Sequence, residues 1–298
     1  RCIPRQRGEV RREMADALEG LGPGSDELQE LLEVALRAAQ AGADVLSGRD
    51  SAEFHAQTKS SDGDWVTSFD VAAEEAVSAV LRRERPRDAI TGEESGTYVP
   101  EHRSPVRWSV DPLDGTTNFI RDIVYYATSV AACDEHGNWL VGVVNAPALG
   151  RIYYGVAGLG AWVRRDGRDT RLTGPVPGRR GALYGTGFSY DPAVRREQFG
   201  SFLDTMENFS DMRRLGAASL DLCMVADGTL DGYSERGLHE HDWAAGALIA
   251  HEAGAVVQRP DLPVPPALSE QEHSAGSAIA NAYEKARVTS VIAAWAPR

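Results

Sequence analysis

The sequence lacks the features that mark several classes of protein. No apolar run approaches the roughly 18 residues that a membrane-spanning helix needs, and the charged opening segment lacks the apolar core of a signal peptide. The three cysteines, Cys2, Cys133 and Cys223, are too widely spaced for a zinc or thiol-redox motif. Buried or unreactive thiols in a reducing compartment are therefore expected, which favours the cytoplasm.

The chain is also short of basic charge. Lys and Arg number 31 against 44 Asp and Glu, which gives a net charge of −13. Such a surface repels nucleic acid and anionic membranes, so neither is an expected partner. The same field would repel a small anionic substrate. A phosphate site in this chain would need a local positive charge, and a bound divalent cation is its natural source.

Helical and strand patterns alternate along the chain, which predicts a mixed α/β fold. Residues 1–24 are expected to form a flexible tail, and residues 25–298 one compact domain with two lobes, at about 25–175 and 176–298. Predicted helices cover residues 25–46, 71–81, 195–206, 219–226, 242–252 and 283–295. Predicted strands cover residues 106–110, 125–133, 140–145, 152–156, 161–164, 183–188, 230–234, 255–258 and 277–280, and a polar hairpin or loop covers 59–69.

The strongest functional signal is the segment DPLDGTTNF at residues 111–119, directly after a predicted strand. Asp111 and Asp114 can offer carboxylate oxygens to a hard cation such as Mg²⁺, and the turn can aim the Leu113 carbonyl at the same ion. Gly115 allows the backbone to approach a phosphate closely, and Thr116 begins a segment whose N–H groups point outward. A short Asp-Gly stretch alone would indicate only a capped turn, whereas the whole segment indicates an anion site beside a metal.

Two further acidic segments add weight to this signal. The segment GEESG at residues 92–96 carries Glu93, although an isolated glutamate pair usually lies on a solvated surface. The segment HEHDWAAG at residues 239–246 carries Asp242, which is predicted to cap the following helix and to present its outer oxygen to a cation. His239 and His241 raise the alternative of a zinc site, but no third nitrogen or sulfur ligand is near in sequence.

Together these three segments resemble the inositol monophosphatase family of lithium-sensitive, magnesium-dependent sugar phosphatases. The resemblance covers about residues 57–254 and implies the family's layered α-β-α-β-α sandwich. It implies two or three Mg²⁺ ions, with Mn²⁺ as a possible substitute, and a homodimer, for which the hydrophobic stretch 140–154 is a candidate contact surface. The metal ligands that it implies are Glu93, Asp111, the Leu113 carbonyl, Asp114 and Asp242.

The resemblance also implies roles in catalysis and substrate binding. Thr116 would orient the attacking water together with Glu93, and Asp70 would be the acid hydrogen-bonded to Thr116. The substrate contacts that it implies are Asp114, Gly115, Thr116, Ala218 through its backbone, Glu235 and Asp242. Residues 59–64 and 66–70 resemble the family's mobile loop over the metals. Two departures stand out: His241 replaces the usual aromatic residue, and Asp62-Gly63 replaces a Pro-containing turn.

The predicted reaction is hydrolysis of a phosphate monoester by metal-held water. No Cys or Ser nucleophile with an adjacent His base is present in the sequence, which argues against a covalent intermediate. Inositol 1-phosphate is the leading substrate, because Ala218 and Glu235 match the inositol contacts. Histidinol phosphate is the alternative, and fructose bisphosphate or a 3′-phosphoadenosine nucleotide stay open. A different class, a non-catalytic binding protein on the same fold, also stays open.

Overall fold

The computed structural model describes residues 25–49, 56–58, 65–175, 180–206, 209–259 and 291–294. Its helices are α1 (Ser25–Leu46), α2 (Ser68–Glu84), α3 (Thr116–Ile120), α4 (Pro192–Met206), α5 (Ala218–Ala226) and α6 (Glu240–Glu252). Its strands are β1 (Ala56–Thr58), β2 (Trp65–Thr67), β3 (Ala89–Gly92), β4 (Gly96–Tyr98), β5 (Arg107–Asp114), β6 (Ala127–Cys133), β7 (Trp139–Ala146), β8 (Arg151–Val156), β9 (Gly160–Arg165), β10 (Arg168–Arg171), β11 (Leu183–Thr186), β12 (Asp211–Arg213), β13 (Gly232–Glu235), β14 (Val256–Gln258) and β15 (Val291–Ala294). The expected tail 1–24, residues 59–64 and the expected strand 277–280 lie outside the described ranges, and the division into two lobes stays a prediction.

The larger sheet has eight strands in the order β10-β9-β8-β7-β6-β5-β3-β4. Only β3 and β5 are parallel neighbours in it, with Gly92 opposite Val110. Because parallel strands end at the same edge of a sheet, the residues that follow β3 come to lie beside the last residues of β5. The backbone N–H of Glu93 donates to the Val110 carbonyl at 3.2 Å, which continues this pairing by one residue.

The smaller sheet has five strands in the order β12-β11-β13-β15-β14. Strands β11, β12 and β13 are parallel, so α4 and α5 are crossover connections that run in opposite directions along the sheet. Right-handed crossovers of opposite direction lie on opposite faces. Helix α5 packs with α6 between the two sheets, which puts α4 on the outer face.

The resulting layers confirm the expected α-β-α-β-α sandwich. Helices α1 and α2 cover one face of the large sheet, and α5 and α6 cover the other. Helix α1 spans the predicted residues, with Asp26 and Glu27 in its first turn near the positive end of the helix dipole. Across the described parts of the chain, no helix combines the length and apolar character needed to cross a membrane.

One expected element of the fold is wrong in the structure, and one expected contact surface is narrower than the sequence suggested. Residues 291–294 form strand β15, not the end of a helix, and they pair with both β13 and β14. The pattern was ambiguous because Ala293 and Ala294 suit either structure and the pairing partners are distant in sequence. The candidate contact stretch 140–154 is largely core, since Val143 is fully buried and Tyr154 is 2% exposed in central strands that are covered on both faces. A partner would contact it mainly through the turn at residues 147–152, which is half-buried to exposed.

Candidate active site

The carboxyl end of β5 carries both aspartates of the DPLDGTTNF segment. Alternate residues of a regular strand face opposite sides of the sheet, so Asp111 and Asp114, three positions apart, would point away from each other. The pairing with β6 shifts here, because Asp111 lies opposite Ser129 and Asp114 opposite Ala127. Three steps on β5 therefore match two on β6, and this bulge turns the two carboxylates toward the same side.

Asp111 is the centre of an acidic cluster. It is 1% exposed, and burial together with the charges of Glu93, Asp114 and Asp242 raises its pKa well above the ordinary value. The Glu93 carboxyl lies within hydrogen-bonding reach of Asp111, and this contact raises the same pKa further. The structure thus brings together four acidic residues that are dispersed between positions 93 and 242.

Asp114 joins this cluster to the start of α5. Its Oδ1 accepts a hydrogen bond from the Ala218 N–H at 3.2 Å, and its Oδ2 accepts one from the Ser219 N–H at 2.7 Å and one from the Ser219 hydroxyl. These N–H groups open the helix and have no partner within it, so a carboxylate from a distant strand caps them. Burial raises the pKa of Asp114 to about 7, although the Ser219 hydrogen bonds oppose that shift.

The sequence suggested that Asp242 opens α6, but in the structure it does not. The helix begins at Glu240 after the capping residue His239, and Asp242 is its third residue. Its Oδ2 accepts a hydrogen bond from the His239 backbone N–H, and its Oδ1 lies 3.7 Å from His241 Nε2. Burial, followed by the charge of Glu93, raises the pKa of Asp242 to about 7.

The donor set suits a hard divalent cation, since all four side chains offer carboxylate oxygens. Within the described ranges, however, no group of three His, Cys, Asp or Glu side chains is already arranged to hold an ion. The hydrogen bonds explain this, because Asp111 Oδ1 accepts the Leu113 N–H at 3.0 Å while Asp114 and Asp242 cap helices. Ion binding would require small rotations of carboxylates that are already neighbours. The zinc alternative has no third ligand there either.

The turn after Asp114 has the features expected of a phosphate contact. Gly115 has a φ of +91°, and a side chain there would meet the Tyr125 carbonyl oxygen at 2.9 Å, so only glycine fits. The hydroxyl oxygen of Thr116 lies 3.0 Å from Asp70 Oδ1 and also 3.0 Å from the Leu113 carbonyl oxygen. The predicted contact between Asp70 and Thr116 is therefore present.

Glu235 ends β13 on the other side of the cluster. Burial raises its pKa to about 7, and the Tyr233 hydroxyl donates to its Oε2 at 2.7 Å. A Cβ on Gly187 would lie only 1.9 Å from Glu235 Oε2, so the absence of a side chain at Gly187 makes room for this carboxyl. The charge of Glu235 contributes to the raised pKa of Asp242, which indicates that the two face a common space.

Some residues that hold this site in shape were not predicted from the sequence. Ser219 binds Asp114, and buried Glu74 accepts hydrogen bonds from the Glu94 and Ser95 backbones. The sequence spacing could have indicated Glu74, because it follows Asp70 by four positions and therefore lies on the same face of the helix. Ala218 donates its N–H to Asp114, so that N–H is already used within the protein. The candidate loop residues 59–64 lie outside the described ranges.

Comparison with known proteins agrees with this architecture. Residues 27–294 match the sequence profile of the inositol monophosphatase family. The chain is 43% identical over 208 residues to the inositol-1-monophosphatase SuhB of Mycobacterium tuberculosis, covering 67% of this chain and 70% of that one. It is 37% identical over 235 residues to the Nus factor SuhB of Pasteurella multocida, covering 77% and 85%. The crystal structure of the extragenic suppressor protein SuhB from Bartonella henselae matches with a TM-score of 0.67 and 28% identity, covering 87% and 99%.

The fold and these relatives define the class of the protein as a phosphatase, a hydrolase. The chain belongs to the inositol monophosphatase family.

Proposed function

We propose that the chain hydrolyses a small phosphate monoester in a Mg²⁺-dependent reaction, with inositol 1-phosphate as the leading substrate. The observation that carries this proposal is the cluster of Asp111, Glu93, Asp114 and Asp242 beside the Gly115–Thr116 turn. Asp111 and Asp114 are buried and Glu93 and Asp242 are partly exposed, and such closely spaced carboxylates are costly without a cationic partner. A divalent cation would offset that cost. In a chain of net charge −13, the same cation would attract the phosphate.

The proposed ligands are Glu93, Asp111, the Leu113 carbonyl, Asp114 and Asp242, for two or three Mg²⁺ ions that Mn²⁺ could replace. When bound, Mg²⁺ would supply positive charge that stabilises the phosphoryl oxygens and leaving alkoxide and lowers the pKa of water. The contact between Thr116 and Asp70 supports a role for Thr116 in orienting that water. The Thr116 hydroxyl can donate to Asp70, which leaves a lone pair to accept a hydrogen from the water.

The reaction needs no covalent intermediate. The water oxygen forms a bond to phosphorus, the bond to the leaving alcohol oxygen breaks, and the alcohol takes up a proton. The buried thiols support this assignment, because burial raises the pKa of Cys133 to about 11 and that of Cys223 well above its ordinary value. Neither thiol is therefore a ready nucleophile at neutral pH.

The polar side of the site supports a polyol or amino-alcohol substrate. Glu235 can accept hydrogen bonds from substrate hydroxyls when ionised and donate one when protonated, and its pKa of about 7 makes both forms accessible. Inositol 1-phosphate fits this chemistry, and histidinol phosphate is the alternative. Fructose bisphosphate and 3′-phosphoadenosine nucleotides are the remaining candidates.

A substrate panel tests the function. Phosphate release from these four substrates should depend on added Mg²⁺ and should be fastest with inositol 1-phosphate. Equal rates on all four would indicate a broad phosphatase, and release that is unaffected by chelation would refute the metal-dependent mechanism. We also propose a homodimer in the cytoplasm, and elution as a monomer across a wide concentration range would refute the dimer.

A second function is favoured by several relatives that are named Nus factors, among them the protein of Pasteurella multocida. The chain could act as a binding protein on this fold, with no nucleic acid or membrane as a direct partner. Mg²⁺ binding without turnover on any substrate of the panel would support this second function over the first.

A further inference from the structure

A buried glutamate outside the acidic cluster holds the loop that carries Glu93. Glu74 lies on α2 and is 3% exposed. Its Oε2 accepts the Glu94 backbone N–H at 2.8 Å, and its Oε1 accepts the Ser95 backbone N–H at 2.7 Å. Two charge-assisted hydrogen bonds to consecutive amides fix the backbone on the far side of Glu93.

The near side of Glu93 is fixed by the sheet. Its N–H donates to Val110, and the preceding residue, Gly92, pairs with β5. Gly92 also packs directly against Glu74, since a Cβ there would lie 2.5 Å from the carboxylate carbon. The Glu74 carboxylate thus contacts residues on both sides of Glu93, and the direction of the Glu93 side chain depends on it.

The same face of α2 also supports Thr116. Asp70 precedes Glu74 by one helical turn, so both side chains project from the same side of α2. Asp70 Oδ2 accepts hydrogen bonds from the Thr67 N–H at 2.7 Å and the Thr67 hydroxyl at 2.6 Å, which leaves Oδ1 for Thr116. Helix α2 therefore contacts two separate parts of the site, the loop that carries Glu93 and the turn that carries Thr116.

We propose that Glu74 is a positioning residue for the reaction: it aims Glu93 at the acidic cluster and, through α2, keeps Glu93 in register with Thr116. This inference rests on the proposed function, because Glu93 is taken there as a metal ligand. Residues that hold a metal ligand in place typically change metal affinity or activity about 10–100-fold when they are altered.

The chain offers a matched control in Glu252, at the end of α6. Its carboxylate accepts the Gly158 N–H at 2.9 Å and the Gly160 N–H at 3.0 Å, so it makes the same pair of bonds at a turn that carries no site residue. Glu74→Gln and Glu252→Gln each retain one acceptor and lose the second. Glu252 is less buried than Glu74, so both measurements are made per folded molecule, and a purely structural role of Glu74 predicts unchanged Mg²⁺ affinity in both variants.

The test is Mg²⁺ binding by calorimetry, together with kcat as a function of Mg²⁺ concentration, on the full chain. We expect Glu74→Gln to weaken Mg²⁺ binding and lower kcat about 10–100-fold, and Glu252→Gln to leave both within about twofold of the wild type. Equal behaviour of the two variants in both measurements would overturn the inference. Should Glu74→Gln fail to fold, Glu74→Asp keeps the charge with a shorter reach and is expected to shift both in the same direction.

The two proposals fail in different ways. A wild-type chain that binds Mg²⁺ without hydrolysing any ester would refute the proposed function, and calorimetry on the two variants would still decide the role of Glu74. A wild-type chain that binds no Mg²⁺ would overturn both proposals.

Discussion

Two buried aspartates lie at opposite ends of the parallel pair β3 and β5. Asp88, just before β3, is 2% exposed and accepts hydrogen bonds from Arg85, Ser104 and the Trp108 indole. Asp111, near the end of β5, is 1% exposed, and its nearest charged neighbours are other carboxylates. The two aspartates are equally buried. Asp88 contacts a guanidinium and neutral donors, whereas Asp111 lies among other carboxylates.

The difference separates a structural aspartate from a functional one. The chain itself compensates the charge of Asp88 through Arg85 and neutral donors, so the group stabilises the fold. The charge of Asp111 is compensated by nothing comparable among the described residues near it, and the cluster raises its pKa. Such a costly arrangement is typical of a site that binds a positive group from solution.

The largest expected effect is that of Asp111→Asn. It removes a carboxylate proposed to bind Mg²⁺ and should lower kcat about 10²–10³-fold. Its thermal stability in chelator should equal or exceed that of the wild type above pH 7, because one buried like charge is gone. A variant that kept a tenth of wild-type activity would contradict the assignment of Asp111.

Asp88→Asn should have the opposite effects, lowering stability while leaving catalysis unchanged. It weakens the hydrogen bonds that Asp88 accepts, although Arg85 keeps its ion pair with Glu30 at 2.9 Å, and the expected cost is about 1–3 kcal/mol of unfolding free energy. Urea unfolding would measure that loss. The kcat per folded molecule and its Mg²⁺ dependence should stay unchanged. A changed Mg²⁺ dependence would mean that Asp88 also contributes to the metal site, which would contradict its structural role.

The contribution of the acidic cluster to stability should depend on pH. Folding raises the pKa values of Asp114 and Asp242 from about 4 to about 7, so the folded chain binds protons more tightly than the unfolded chain between these values. Their stabilising contribution is complete below pH 4 and is lost as the pH rises toward 7. In chelator, the unfolding free energy attributable to this cluster should therefore fall by at least about 1 kcal/mol over that interval.

Mg²⁺ should reverse that loss near neutral pH. The cation replaces the protons on the carboxylates, so its binding should release protons, and its affinity should rise as the pH approaches 7 and level off above it. Calorimetry in two buffers of different ionisation enthalpy would measure the release. Mg²⁺ binding without proton release would contradict the raised pKa values.

Local patterns were sufficient to predict much of this molecule. Helix α1 and strands β5 to β9 follow from apolar periodicity and turn residues, and the DPLDGTTNF segment by itself marked Asp111 and Asp114 as candidate ligands. The terminal strand β15 was not predictable, because its partners are distant in sequence. The cap of α6 was misassigned by three residues, since Asp242 suits both the capping position and the third position of a helix.

What the sequence could not supply is the set of contacts that link distant segments. No local pattern indicates that the register shift opposite Ser129 turns Asp111 and Asp114 to one side, or that Ser219 binds Asp114 across 105 positions. These contacts depend on how sheets and helices pack, and a local pattern carries no information about that packing.

The smallest expected effect concerns two serine hydroxyls, one bound to an aspartate of the acidic cluster and the other to Asp88. Ser219 donates to Asp114, and Ser104 donates to Asp88 at 2.6 Å. Replacing either with Ala removes one hydrogen bond to a carboxylate, which is expected to cost about 1–2 kcal/mol of stability. Only the loss of the Ser219 hydroxyl should raise the pKa of Asp114 further, because that hydrogen bond now lowers it.

Ser219→Ala should therefore move the pH dependence of Mg²⁺ affinity upward by about one unit, and Ser104→Ala should leave it unchanged. The shift has this sign because a proton held more tightly by Asp114 competes with the cation up to a higher pH. Calorimetric titrations between about pH 6 and 9 would measure it. An equal shift in both variants would mean that Asp114 responds to general loosening of the fold. The contrast between Asp88, which has a cationic partner, and the aspartates of the acidic cluster would then lose its functional meaning.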